Sequence, residues 1–167
     1  MKTSRRPARL FMLLVCAVAL LGAPLLAGAD DERLPWGSAE VIDRDYEPRR
    51  VVYDVAVGSE REMELVLDRV SMLNNVYGAD PFDAHIVLVL HGAEVPFFSR
   101  DNFDEYEELM RRARSLTEAG PVEIRMCEAS ARLRGIEPED VQGFVKIVPM
   151  ADAEIIELQH RGYVFMQ

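Results

Sequence analysis

The sequence predicts an α/β fold: a three-layer sandwich with a mainly parallel five-stranded sheet and helices on both faces. Two observations predict it. Short runs of β-branched and apolar residues alternate with longer segments whose apolar positions recur every three or four residues, the pattern of strands joined by crossover helices. The run His85-Ile86-Val87-Leu88-Val89-Leu90 is apolar at successive positions, as expected of a strand buried on both faces of a parallel sheet.

Val51 to Val57 reads as the first strand. Glu60 to Tyr77 reads as a helix, with Met63, Val66, Leu67, Val70, Leu73 and Tyr77 along one face. Ser59 suits its N-cap, and Glu60 and Glu62 lie in the first turn, where the helix dipole favours acids. His85 to Leu90 is the second strand. Phe103, Tyr106, Leu109, Met110, Ala113 and Leu116 trace a second helix that Gly120-Pro121 ends. Val122 to Met126 is a third strand, followed by a short helix from Ala129 to about Arg134, closed by Gly135. Gly143 to Val148, Ala151 to His160 and Tyr163 to Met166 complete the series as strand, helix and strand.

Such a sheet gathers ligands and chemistry at the carboxyl ends of its strands. Three segments are expected to meet there: Val57-Gly58-Ser59, His91-Gly92-Ala93-Glu94 and Met126-Cys127-Glu128. The turn Pro149-Met150-Ala151 is a possible fourth.

Residues 1–29 read as an export signal, with a basic start (Lys2, Arg5, Arg6, Arg9), an apolar stretch from Leu10 to Leu26 and the small triplet Ala27-Gly28-Ala29. An uncleaved anchor is the alternative, but Gly22, Pro24 and the A-x-A ending suit cleavage better. The general secretory route fits better than the twin-arginine one, because Ala8 and Arg9 stand where large apolar residues are usual. A periplasmic or secreted location follows, with no stable membrane insertion after cleavage. Residues 30–48 form an extended segment with Pro35, Gly37 and Pro48, in which Trp36 is either a packing anchor, the expected reading, or a contact with a neighbouring subunit. Residues 49–167 make one domain.

The chain has 19 Lys+Arg against 29 Asp+Glu. Four of the basic residues and none of the acidic ones lie in the leader, so the remainder stands at 15 against 29, or −14. That charge argues against nucleic acid and anionic membrane as partners.

Cys127 is the only cysteine left once Cys16 goes with the leader, so no intramolecular disulfide is open to it. It is therefore buried and inert, paired between chains, or reactive. Its place between a strand and a helix start favours a partly exposed thiolate, stabilised by free backbone N–H groups. Glu128 opposes that charge, while Arg125, Arg132 or Arg134 is placed to offset it. His91, at the end of an apolar strand, is either a base for the thiol or the cap of a nearby loop. Glu94 is a weaker candidate, with a solvated loop carboxylate as the plain alternative.

Phe97-Phe98 forms an oligomer contact, a wall over the thiol, or a fold back onto the core. Asn74-Asn75, inside the first helix, is placed to bond to a loop, but a surface position is the expected reading. No C-x-x-C or H-x-x-x-H spacing supports a metal, and none is expected. The turn Gly58-Ser59-Glu60-Arg61-Glu62 is neither a dinucleotide nor a P-loop motif, and its acids repel phosphate. No G-x-S-x-G elbow is present.

The strand–helix order and the stretch Cys127-Glu128-Ala129-Ser130-Ala131-Arg132-Leu133-Arg134-Gly135-Ile136 resemble the DsrE/DsrF-like family of sulfur-relay proteins. Leu73-Asn74-Asn75-Val76, His91-Gly92, Val148-Pro149 and Gln159-His160-Arg161-Gly162-Tyr163 match as well, so the resemblance spans Val51 to Gln167. It implies a homotrimer or homohexamer in which Cys127 takes sulfane sulfur as a persulfide and passes it to an acceptor thiol. His91 or a backbone N–H would steady the persulfide, with Gly58, Ser59, Gly92, Glu94 and Glu128 on the ligand side. Donors and acceptors would be thiol proteins or small sulfur compounds, and no metal or organic cofactor is required. The competing reading is a non-catalytic oligomeric module that binds a small ligand or a protein at the same strand ends, with Cys127 merely packed.

Overall fold

The computed structural model describes residues 36–118 and 120–167. The expected leader, and the arm before Trp36, lie outside the described residues. The chain divides into two units, Met1–Asp43 and Arg44–Gln167. In the first, residues 37–43 are without helix or strand and exposed; Trp36, expected to pack, is exposed as well.

The second unit carries five strands, β1 (Arg50–Val55), β2 (His85–Leu90), β3 (Val122–Cys127), β4 (Val145–Val148) and β5 (Val164–Met166). Its helices are α1 (Glu60–Val76), α2 (Glu107–Glu118), α3 (Glu128–Arg132) and α4 (Ala151–His160). The sheet order is β4-β3-β2-β1-β5 and every pairing is parallel. β1, β2 and β3 step across the sheet in one direction with α1, α2 and α3 on one side. After β4 the chain runs back past β1 to the opposite edge, and α4 lies on the other side. That reversal keeps every crossover right-handed.

Strand alternation divides the core accordingly. Tyr53, Val55, Ile86, Leu88, Leu90, Ile124 and Met126 pack with Met63, Leu67 and Val70 of α1 and Leu109, Met110 and Ala113 of α2. Val52, Val87, Val89 and Cys127 face the other way, against Ala151, Ile155 and Leu158 of α4. Helices cover both faces of the sheet, so the three-layer sandwich holds.

Several boundaries move for identifiable reasons. β1 stops at Val55, short of Val57, because the Val57 N–H leaves the ladder to donate to Glu94 Oε2 at 2.9 Å. The second helix begins at Glu107, not Phe103. Ahead of it, Val95–Phe98 and Arg100–Asn102 form 3₁₀ turns, and Asn102 Nδ2 donates to the Pro96 carbonyl at 2.9 Å. A 3₁₀ turn shares the three-residue repeat of an α-helix, so apolar spacing alone does not separate them.

Phe97 and Phe98 fold into the core, Phe98 completely. Phe97 stacks on Tyr106 with centroids 4.6 Å apart, and Phe98 meets Phe144 edge-on at 6.4 Å. Burying a phenylalanine contributes about 2–3 kcal/mol, which anchors the loop after β2 and fixes the direction in which it leaves the sheet. Asn74, expected at the surface, is buried too. No described helix is long and apolar enough to cross a membrane.

Candidate functional site

In an open parallel sheet, a crevice opens where adjacent strands send their connections to opposite faces. Here that point lies between β3 and β4: the chain leaves β3 for α3 on one side and leaves β4 for α4 on the other. Cys127 is the last residue of β3, paired with Val148 of β4. Its side chain points to the α4 side.

The sulfur is an acceptor for helix termini. α4 starts after Met150, which has no side-chain oxygen to cap it, and the first helical N–H, that of Ala151, donates to Cys127 Sγ at 3.4 Å. Cys127 is also the N-cap residue of α3. The Ser130 hydroxyl and the N–H groups of Ser130 and Ala129 lie near enough to favour the thiolate, although none closes a full capping bond.

Burial opposes ionisation of this thiol, and it is the largest single influence. Together the Ser130 hydroxyl and the N–H groups of Ser130, Ala151 and Ala129 outweigh it, so the thiol ionises below its ordinary value. An ionised form favoured by the fold adds stability above the unfolded thiol's pKa. That stability is lost as pH falls through the lower, folded value. The expected partial exposure is corrected: Cys127 is only 4% exposed, closed in by Val52, Val87, Val89, Ile155 and Leu158. What reaches the sulfur must be small.

Charges around the thiol are already paired. Glu128 forms a salt bridge to Arg132 at 2.7 Å, so its negative charge is offset within α3. Arg125 is held by Glu123 and Glu154, and Arg134 donates to the Ser130 carbonyl.

His91 follows β2 directly, as Cys127 follows Met126, and Leu90 and Met126 are register partners. The two residues are therefore successive neighbours on adjacent strands, both on the α4 side. Among the described residues no hydrogen bond joins them. The His91 Nε2 lies instead 2.5 Å from Asp54 Oδ1.

Glu94 is not a solvated loop carboxylate but fully buried. Its Oε1 accepts from the His91 and Gly92 N–H groups at 2.9 and 2.8 Å, and its Oε2 from Val57. One carboxylate thus ties the end of β1 to the end of β2. Gly92 has to be glycine because a Cβ there would lie 2.5 Å from both Ala56 Cα and Glu94 Oε2.

Ser59 caps α1 as expected, accepting from the Glu62 N–H at 3.3 Å. Glu62 reaches back to the Gly58 N–H at 2.8 Å and the Ser59 hydroxyl at 3.0 Å, so the carboxylate and the cap hold each other. The Gly58 N–H and then the Ser59 hydroxyl hold the exposed Glu62 carboxyl below its usual value. Their polar groups are thereby engaged with the helix.

The structure brings the four expected segments into two pairs. Val57–Ser59 and His91–Glu94 are joined through Glu94, and Cys127 and Ala151 through the sulfur. Sequence reasoning missed Asp54, whose signal was a lone acid inside Val51-Val52-Tyr53-Asp54-Val55. It also missed Ser130 and the backbone N–H of Ala151. Among the described residues, no cluster of three or more His, Cys, Asp or Glu is placed to hold a metal ion.

The DsrE/DsrF-like family model matches residues 55–167. Comparison with curated proteins gave no significant match. A solved structure of a protein of unknown function from Methanobacterium thermoautotrophicum is similar, with a TM-score of 0.58 at 20% identity. The alignment covers 71% of this chain and 97% of that one. At that identity the likeness speaks for the fold alone.

Proposed function

The chain belongs to the DsrE/DsrF-like family, and on that footing we propose that it is an exported sulfur carrier, assembled as a homotrimer or homohexamer. Cys127 accepts a sulfane sulfur as a persulfide and hands it to an acceptor thiol. The observation that carries this reading is the Cys127 sulfur at the carboxyl end of β3, between the starts of α3 and α4, where the Ser130 hydroxyl and N–H donors from both helix starts lower its pKa.

The chemistry balances without a cofactor. With thiosulfate as donor, the thiolate attacks the outer sulfur, the S–S bond of thiosulfate breaks and sulfite leaves with the electron pair. Cys127 is left as a persulfide anion. An acceptor thiolate then attacks the terminal sulfur, and the Cys127 thiolate departs with the electron pair of the broken S–S bond. The N–H groups that favour the thiolate also favour it as the leaving group. Because the inner sulfur is covered, attack at the terminal sulfur is the accessible course, and it transfers sulfur instead of leaving a mixed disulfide.

A second reading has one observation in its favour: at 4% exposure, Cys127 is packed as a small core residue is. The chain is then a non-catalytic oligomeric binding module. Intact mass after incubation with thiosulfate or polysulfide separates the two. The sulfur-carrier reading predicts one added sulfur on the wild type, released by an acceptor thiol, and none on Cys127→Ser. A native protein that stays unmodified, yet reacts once unfolded, supports the packed module.

A further inference from the structure

One hydrogen-bonded pair at the same end of the sheet as the thiol has no task in the fold. His91 Nε2 and Asp54 Oδ1 are 2.5 Å apart, and each side chain is 26% exposed. A quarter-exposed pair of this kind adds little stability on its own. Asp54 nevertheless sits on β1 between Tyr53 and Val55, both buried, in register with Val89 of β2. Alternation puts it on the α4 side, since Tyr53 and Val55 face the other core. Asp54 on β1, His91 after β2 and Cys127 on β3 therefore form a row across three adjacent strands, on one face and at one end of the sheet.

We infer that Asp54 is a positioning residue for His91: it accepts the Nε2–H and so leaves the Nδ1 lone pair free to take the Cys127 proton. The purpose of that transfer rests on the sulfur-carrier reading; the transfer itself does not. The S–H bond breaks, an N–H bond forms at Nδ1, and the proton passes directly or through one water. The sulfur keeps the electron pair as a thiolate, while the imidazole becomes an imidazolium. The Asp54 carboxylate stays ionised and balances the new positive charge, as the acid of a catalytic triad does.

The surroundings suit this division of labour. Glu94 holds the His91 and Gly92 N–H groups, so the point from which the ring projects is fixed. The other acids of this end are otherwise engaged: Glu128 with Arg132, and Glu154 with Arg125. Asp54 is thus the carboxylate in contact with the ring.

Two measurements test the inference. The ¹⁵N shifts of His91 in the wild-type protein are expected to report the Nε2–H tautomer; a proton resident on Nδ1 overturns the inference without any variant. The second is the rate at which Cys127 is alkylated by iodoacetamide near neutral pH. Asp54→Asn keeps the shape of the side chain but lets its amide donate to Nε2, which moves the ring proton to Nδ1. Alkylation is expected to slow about tenfold or more, with partial recovery in Asp54→Glu. Alkylation of a folded Asp54→Asn as fast as the wild type overturns the inference. Iodoacetamide carries no sulfur, so a wild type that alkylates in an Asp54-dependent way but takes up none from thiosulfate rejects the carrier reading and leaves the role of Asp54 standing.

Discussion

Replacing Glu94 with leucine is expected to destabilise the domain by about 3–5 kcal/mol, the range seen when a buried charged network loses its central member. Leucine fills much of the space but accepts no hydrogen bond, so the N–H groups of Val57 and Gly92 lose their partner, while the His91 N–H keeps only its bond to the Val55 carbonyl. Each unsatisfied buried donor costs about 1–3 kcal/mol, reduced where the loop relaxes toward water. Glu94→Gln is the sharper probe. Its amide oxygen can still serve His91 and Gly92, but its NH₂ then faces the Val57 N–H, and a loss of about 1–3 kcal/mol is expected. Urea unfolding checks both, reading a lower midpoint at an unchanged slope. A Glu94→Leu protein within about 1 kcal/mol of the wild type would show that these bonds do not hold the strand ends together.

Gly92→Ala is expected to have the next largest effect. The new methyl would lie 2.5 Å from Ala56 Cα and 2.8 Å from Ala56 C, both backbone atoms of the segment following β1. Backbone cannot swing aside as a long side chain can, so the loop itself has to move. Overpacking of this kind costs about 1–3 kcal/mol. Because His91 is the preceding residue, the displacement also pulls its ring away from Asp54, and Cys127 alkylation slows in the folded variant. Gly143→Ala is the control. No atom lies within 4 Å of its added methyl and its backbone needs no positive φ, so both stability and alkylation should stay near wild type. Equal losses in the two variants would mean that close approach at Gly92 is not the cause.

The sequence was most legible where one periodicity dominates. His85–Leu90 and Ala151–His160 fall on their expected limits, because an unbroken apolar run and a sharp Pro149 turn leave little latitude. Phe103 and Tyr106 misled for the reason given above: tight turns repeat nearly as helices do. Glu94 misled because polarity suggests water, whereas three convergent backbone donors make a buried carboxylate the better solution. The cysteine at the strand–helix junction was visible, but its main hydrogen bond was not. Ala151 donates through its backbone from 24 positions away, and backbone donors leave no mark on side-chain pattern. His91 was visible as a residue and invisible as half of a pair. Asp54 becomes its partner only once the parallel register of β1 and β2 is known.

The account depends on the Ser130 hydroxyl and the peptide N–H groups around the Cys127 sulfur favouring its anion over burial. Alkylation rate of the native protein against pH measures this most directly, with Cys127→Ser as the blank. The account predicts a rise in rate whose midpoint lies below the ordinary thiol value of about 8.5. A midpoint at or above that value, or a thiol that stays closed to small reagents until the protein unfolds, would contradict it.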